Sequence, residues 1–147
     1  MKTKNKEANS YSIGEVAKIL DVSVQTLRLY EERGLILIQK TEGNQRFYTE
    51  EDIDRIRCIR KAINEEKISM AGIQRIFSLI PCWQIVGCSV EHRSKCPSFK
   101  GHTSPCWSYD HQKNPCAKTD CRLCEVYKMS SDCGKIKNTI ASIGTHN

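Results

Sequence analysis

Ser12-Ile-Gly-Glu-Val-Ala-Lys-Ile-Leu-Asp-Val-Ser-Val-Gln-Thr-Leu-Arg-Leu-Tyr-Glu-Glu-Arg-Gly-Leu35 is the stretch on which the reading of the first half turns. Ser12 and Glu15 stand three residues apart, the spacing of a capping box. Ile13, Val16, Ala17 and Leu20 follow at i, i+3, i+4 and i+7, one face of a helix. Asp21-Val-Ser23 is a short turn that ends in a second N-cap residue. A second helix is expected from Val24 to Arg33, with Gly34 suited to its C-terminal stop. Two short helices joined by three or four residues make a helix-turn-helix, whose second helix enters the DNA major groove. Its outward face carries Gln25, Thr26 and Arg28. The Arg28 guanidinium suits a guanine edge or a phosphate.

Downstream, Leu35-Ile-Leu-Ile-Gln-Lys-Thr-Glu-Gly-Asn-Gln-Arg-Phe-Tyr48 has an apolar extended run, a Gly-Asn turn and a second short run. That pattern predicts a β-hairpin. Its tip and second strand carry Lys40, Arg46 and Tyr48, so the hairpin reads as a wing whose cations reach flanking phosphates. Thr49 opens a third helix with Ile53, Ile56, Ile59 and Ile63 inward. Ser69 opens a fourth with Ile73, Ile76, Phe77 and Ile80 inward. Cys58 reads as a half-buried inert thiol. Residues 1–10 are expected to form a disordered tail.

The quoted motifs resemble those of the MerR family of bacterial winged-helix transcription regulators. The resemblance rests on Ser12-Ile-Gly-Glu-Val-Ala17, Val22-Ser23, Thr26-Leu27-Arg28, Tyr30-Glu31, Gly34-Leu35, Arg46, Tyr48 and Asp52. It covers residues 11–80, and "MAGIQRIF" is most similar to the heat-shock and nitrogen-control branch. The resemblance implies that Thr26, Arg28, Tyr30, Lys40, Arg46 and Tyr48 touch double-stranded promoter DNA. It also implies a homodimer and RNA polymerase as a further partner. Relatives that activate bend and untwist a poorly aligned promoter, which is a deformation-energy mechanism. Relatives of the heat-shock branch repress. One departure stands out: Pro81 and Cys82 follow the fourth helix. Proline breaks its continuation, and no apolar heptads replace the long dimerisation helix of many members.

Composition separates the two halves. The chain has 147 residues and a net charge of +6. Residues 1–81 hold 14 basic and 12 acidic side chains; residues 82–147 hold 9 and 5. Such an excess is compatible with nucleic acid without requiring it. Eight of nine cysteines lie after Pro81: Cys82, Cys88, Cys96, Cys106, Cys116, Cys121, Cys124 and Cys133. The N-terminal MKTKNKEANS shows no secretory signal and no segment is long enough to span a membrane, so a bacterial cytoplasmic location is expected. Dense cysteines there point to metal or redox chemistry.

The second half is poor in aliphatic residues, so metal–thiolate bonds are expected to supply its cohesion. Only one close C-x2-C pair exists, Cys121 and Cys124, whereas structural zinc sites usually use two. Cys116-x4-Cys121-x2-Cys124 has the spacing of three ligands in plant-type [2Fe–2S] proteins, and Cys-Pro occurs at bacterial cluster ligands. An iron–sulfur cluster (4Fe–4S or 2Fe–2S) is the first expectation, with zinc and a bare thiol switch as alternatives. His92, His102 and His111 read as solvent-facing. The pattern Cys82-Trp83, Cys88, Cys96-Pro97, Cys106-Trp107, Cys116 and Cys121-x2-Cys124-x-Val126-Tyr127 also resembles the small two-CW cysteine-rich domain. That resemblance implies a common ligand set without naming the metal. Lys135–Ile143 could add a short helix with Ile136, Ile140 and Ile143 on one side.

The resulting expectation is a mainly α protein. A disordered tail at residues 1–10 precedes a winged helix-turn-helix over residues 11–81. A small, irregular, metal-bound cysteine-rich domain spans residues 82–147. No paired carboxylates, phosphate-binding glycine loop or nucleophile–base set is present, so a non-enzyme is expected. Two other classes compete. A DNA-architectural factor could use the same head without controlling transcription. An oxidoreductase would use Cys121 and Cys124 as a dithiol, but that pair lacks the βαβ setting of a thioredoxin-like site.

Overall fold

The computed structural model describes residues 10–101, 103–109, 120–130 and 138. Helix α1 (Ile13–Leu20) begins with the predicted box. The Ser12 hydroxyl accepts the Glu15 amide and the Glu15 carboxylate accepts the Ser12 amide, both at 3.2 Å. Asp21 stops the helix in the left-handed region (φ 50°). Helix α2 (Val24–Glu32) is capped by the Ser23 hydroxyl, which accepts the Thr26 amide at 3.0 Å. Gly34 then turns the chain at φ 73°, a conformation that a side chain resists. A Cβ there would also stand 2.7 Å from the Ser108 hydroxyl.

Helix α3 (Glu50–Asn64) has its own capping box between Thr49 and Asp52. Helix α4 (Met70–Ser78) is capped by Ser69. The wing is shorter than predicted. Strand β1 (Gln39–Lys40) pairs antiparallel with β2 (Arg46–Phe47), with Gln39 opposite Phe47 and Lys40 opposite Arg46. Tyr11 and Tyr48 add an isolated bridge through two 2.8 Å backbone bonds, which ties the start of the fold to the wing's base.

The apolar run from Leu35 does not join the hairpin: its carbonyls at Leu35 and Leu37, like those of Arg33 and Gly34 just before it, bond side chains instead of a strand partner. The Arg33 carbonyl accepts from Gln74 (2.6 Å), Gly34 from Trp107 (2.6 Å) and Leu35 from Arg55 (2.8 Å). The Leu37 carbonyl accepts from Arg122 at 3.3 Å. Buried backbone groups need partners, and these are found on α3, α4 and the cysteine-rich segment.

Past α4, the chain breaks into short pieces: α5 (Cys82–Ile85), α6 (Val90–Ser94), α7 (Pro97–Lys100), 3-10 turns at Cys106–Ser108 and Cys121–Leu123, and α8 (Glu125–Met129). Several of these pieces pack on the core of the first half. Trp107, Val126, Tyr127 and Met129 belong to the same hydrophobic cluster as Val16, Leu27, Ile53, Ile56, Ile59, Ile73, Phe77 and Ile80. Burying one such large side chain contributes about 1.5–3 kcal/mol, so the cysteine-rich segment gains real cohesion from the first half's core. A second satellite contact pairs Trp83 with Phe99 edge-on, at 4.9 Å between ring centres.

Two core assignments need correction. Ile76 is 40% exposed rather than inward. Helix α4 turns Ile73, Phe77 and, at its end, Ile80 toward the core, and Ile76 falls at the rim of that face. Cys58 is disulfide-bonded, not an inert thiol. The helix Lys135–Ile143 expected from the sequence lies outside the described residues, apart from position 138, which is helical.

Candidate functional site

The outward face of α2 carries Gln25 and Arg28, both exposed. Thr26 is half-buried beside them, and its hydroxyl lies 2.8 Å from that of Ser23, so it reinforces the helix start. Lys40 is exposed on β1. Arg46, opposite Lys40, is half-buried and donates through Nε to the Glu31 carboxylate at 2.7 Å. That hydrogen bond, with the Glu31 charge, holds the Arg46 guanidinium above its ordinary pKa. Glu31 is therefore a member of this surface that sequence reasoning did not single out as such. The ion pair joins the end of α2 to the wing.

Tyr30 and Tyr48, which the resemblance implies touch DNA, are buried. They are 2% and 0% exposed, and both belong to the core. Tyr30 stands three residues after the buried Leu27, on the inward face of α2. Tyr48 lies just past β2, where its bridge to Tyr11 draws the ring inward. Burial, and to a lesser degree Glu31, pushes the Tyr48 phenol up to about 12. Both rings pack in the core, Tyr30 from α2 and Tyr48 from the base of the wing.

The joint between the two halves centres on Arg55, which is 1% exposed. Its Nε donates to the Leu35 carbonyl, and its Nη1 donates to the Tyr127 carbonyl (3.0 Å) and the Ser130 hydroxyl (2.5 Å). Its cationic carbon lies 4.9 Å, 5.2 Å and 3.9 Å from the ring centres of Phe77, Trp107 and Tyr127. Burial lowers its pKa to about 10, so it stays charged at neutral pH. Beside it, buried Asp52 pairs with Arg122 at 2.6 Å. The Tyr127 hydroxyl accepts the Leu37 amide at 2.8 Å.

Of the eight cysteines expected to bind metal, Cys82, Cys88, Cys96, Cys106, Cys121 and Cys124 are described, and none is in a disulfide. Cys116 and Cys133 lie outside the described residues. Cys82, Cys106, Cys121 and Cys124 all pack against the edge of the shared core. The Cys106 thiol donates to Cys82. That bond, with help from Ser98, lowers Cys82 to about 7 against the effect of burial. Cys106 is pushed up by the same bond, by burial and by the nearby sulfurs of Cys82, Cys124 and Cys121. Burial and then Cys124 raise Cys121. The donor set is soft and suits zinc or iron–sulfur chemistry. Among the described residues, however, no three Cys, His, Asp or Glu side chains converge closely enough to hold an ion. Cys96 is buried at the start of α7 and Cys88 is half-buried after α5. His92 bonds Ser89 at 2.9 Å.

Two helices with a three-residue turn, a β-ribbon wing and two supporting helices define a winged helix-turn-helix. The model of the "MerR HTH family regulatory protein" family matches residues 11–80. Over residues 11–80 the chain is thus similar to that family's helix-turn-helix domain. Among relatives, the HTH-type transcriptional regulator MlrA of Escherichia coli (strain K12) is 46% identical over 55 residues, 37% of this chain and 23% of that protein. The HTH-type transcriptional regulator ZntR of the same organism is 37% identical over 70 residues, 47% of this chain and 49% of that protein. The HTH-type transcriptional regulator GlnR of Bacillus anthracis is 30% identical over 76 residues, 52% of this chain and 58% of that protein. The chain therefore spans less than two thirds of each of these relatives. No solved structure matches. Among the described residues, no helix is long and apolar enough to cross a membrane.

Proposed function

We propose that this protein is a cytoplasmic, non-enzymatic transcription regulator that binds double-stranded promoter DNA as a homodimer and encounters RNA polymerase there. Its head uses α2 in the major groove and the wing on flanking phosphates. The observation that carries this reading is the outward placement of Gln25 and Arg28 on α2 beside the exposed Lys40 and the Glu31-anchored Arg46. Arg28 reads a base, whereas Lys40 and Arg46 neutralise phosphates. Arg28→Ala is expected to weaken specific binding by ~1–3 kcal/mol and to relax discrimination at one base pair. Arg46→Ala acts differently: the slope of log affinity against log salt flattens by about 0.9 for each phosphate that is no longer neutralised. Gel-shift or anisotropy titrations at several salt concentrations separate the two. Unchanged binding in both variants would remove the DNA assignment.

The cysteine-rich segment is proposed to bind an iron–sulfur cluster, with zinc as the alternative, and to report metal or redox state to the head. Cys82, Cys106, Cys121 and Cys124 are the thiols best disposed to supply ligands, because each packs against the shared core and Cys106 lies near the other three; to close around a metal they would have to draw together. Such a group, when bound, supplies redox sensitivity or, for zinc, structural closure. The protein's own part is to hold these sulfurs against Trp107, Val126 and Tyr127, half-shielded from water. Absorption near ~400 nm in protein purified without oxygen supports thiolate-bound iron. A colourless sample with stoichiometric zinc selects the alternative, and a sample with neither metal removes both.

A further inference from the structure

Three elements of the cysteine-rich segment meet at one sulfur. Cys82 opens α5, Ser98 lies in α7, and Cys106 opens the 3-10 turn at Cys106–Ser108. The Cys106 thiol and the Ser98 hydroxyl both hydrogen-bond the Cys82 sulfur, and the Trp83 amide adds a third donor. Ser98 is 9% exposed, so its hydroxyl is turned inward on the sulfur rather than out to water. Both cysteines are half-buried, and neither is in a disulfide. Cys121 and Cys124 also stand near Cys106, but of these neighbours Cys82 acts on it most strongly, through that bond. Two thiols in hydrogen-bond contact need only a small side-chain rotation to reach the ~2.05 Å of an S–S bond. Each of the two precedes a tryptophan in a ring contact: Trp83 meets Phe99 at 4.9 Å and Trp107 meets Tyr127 at 5.0 Å.

We propose that Cys82 and Cys106 form a reversible disulfide, with Cys82 the sulfur that a hydroperoxide oxidises first and Cys106 the thiol that resolves it. The order follows from the bonds. Cys82 accepts from three donors, which hold its sulfur in place, whereas Cys106 is itself a donor and keeps its proton until the second step. In the first step the Cys82 sulfur attacks one oxygen of the hydroperoxide. An S–O bond forms and the O–O bond breaks. The other oxygen leaves as an alcohol, or as water from hydrogen peroxide, with the Cys82 proton. The Cys106 sulfur then displaces the hydroxyl: an S–S bond forms, the S–O bond breaks, and water leaves with the Cys106 proton. Two electrons have passed from the sulfurs to the peroxide. A dithiol reductant restores the pair by exchange. The site requires neither DNA nor a metal, and a metal bound to the same sulfurs would compete with it.

The test divides full-chain protein purified without oxygen. One part stays as purified, with its iron and zinc measured. The other is reduced and chelated, then freed of both reagents. Each receives hydrogen peroxide, is quenched with an alkylating reagent and is mapped as non-reduced peptides, the link of Cys58 being followed separately. In the chelated part a Cys82–Cys106 link is expected as the main new product, reversed by dithiothreitol. It should form about tenfold faster than oxidation of Cys88, which is half-buried like Cys82. Tryptophan fluorescence should change at the same rate, since both cysteines adjoin a tryptophan in a ring contact. Cys106→Ser should stop at a Cys82 sulfenic acid that dimedone traps, and Cys82→Ser should leave Cys106 reduced. Ser98→Ala keeps both sulfurs and should slow the link. Four outcomes overturn the proposal: no link in the chelated part, a Cys121–Cys124 link that forms first, oxidation of Cys106 in Cys82→Ser at the wild-type rate, or links scattered among all the cysteines as in an unfolded segment. The metal reading is decided separately. A link slowed in a metal-loaded sample and fast after chelation supports both proposals. A fast link in a purified sample holding neither metal supports this one and removes the other.

Discussion

Arg55→Ala is expected to lower the free energy of unfolding by ~3–5 kcal/mol, the range for truncating a large, fully buried side chain. Three losses combine. The Leu35 carbonyl loses its donor in a site closed to water, at about 1–3 kcal/mol for a buried group left unsatisfied, while the Tyr127 carbonyl keeps the Ser130 hydroxyl. The faces of Phe77, Trp107 and Tyr127 lose their cation, an attraction of roughly 2 kcal/mol when desolvated. A cavity replaces a large side chain in the middle of the shared core. Against these stands the relief of no longer burying a charge. Arg55→Met isolates that relief, since it fills most of the space without a charge, and it is expected to cost less than Arg55→Ala. Arg55→Lys keeps the charge and loses the planar fork, so it should resemble Ala more than Met. Urea unfolding followed by tryptophan fluorescence measures all three. A wild-type midpoint for Arg55→Ala would mean that the guanidinium does not join the halves.

The same residue shows where sequence reading stops. Both capping boxes, the turn at Asp21 and the stop at Gly34 are set by groups within four residues of each other, and each is legible. The inward isoleucines of α3 follow from spacing alone. Arg55 sits between Ile53 and Ile56 and reads as an ordinary solvated cation, because the rings that cover it arrive from positions 107 and 127. No periodicity encodes a partner 72 residues away. Leu35 to Ile38 read as a strand for the same reason: their apolar character reports burial, but their hydrogen-bond partners are remote side chains. Tyr30 is different, since its i+3 spacing from Leu27 already marks the inward face, and the family resemblance outweighs that signal. Cys82, Cys106, Cys121 and Cys124 cannot be told from the other cysteines by spacing, because their packing depends on Trp107, Val126 and Tyr127 joining the core of the first half.

Asp52 carries the second large effect. Its side chain closes the α3 box by accepting the Thr49 amide at 2.9 Å, and it also pairs with Arg122 at 2.6 Å. The carboxylate is 2% exposed and the guanidinium 13% exposed. One buried group thus fixes the start of α3 and the cysteine-rich segment at once. Asp52→Ala is expected to cost ~3–5 kcal/mol, because it leaves Arg122 a nearly buried cation without its anion. Thr49→Ala removes the hydroxyl half of the box and should cost only ~1 kcal/mol, so the excess belongs to the ion pair. A double-mutant cycle with Arg122→Met measures that excess directly, with an expected coupling of about 0.5–3 kcal/mol for contacting residues. Removing both partners should be milder than removing Asp52 alone, since no charge is then stranded. Additive losses would instead show that Asp52 stabilises α3 by its cap and that Arg122 bonds the Leu37 carbonyl without it.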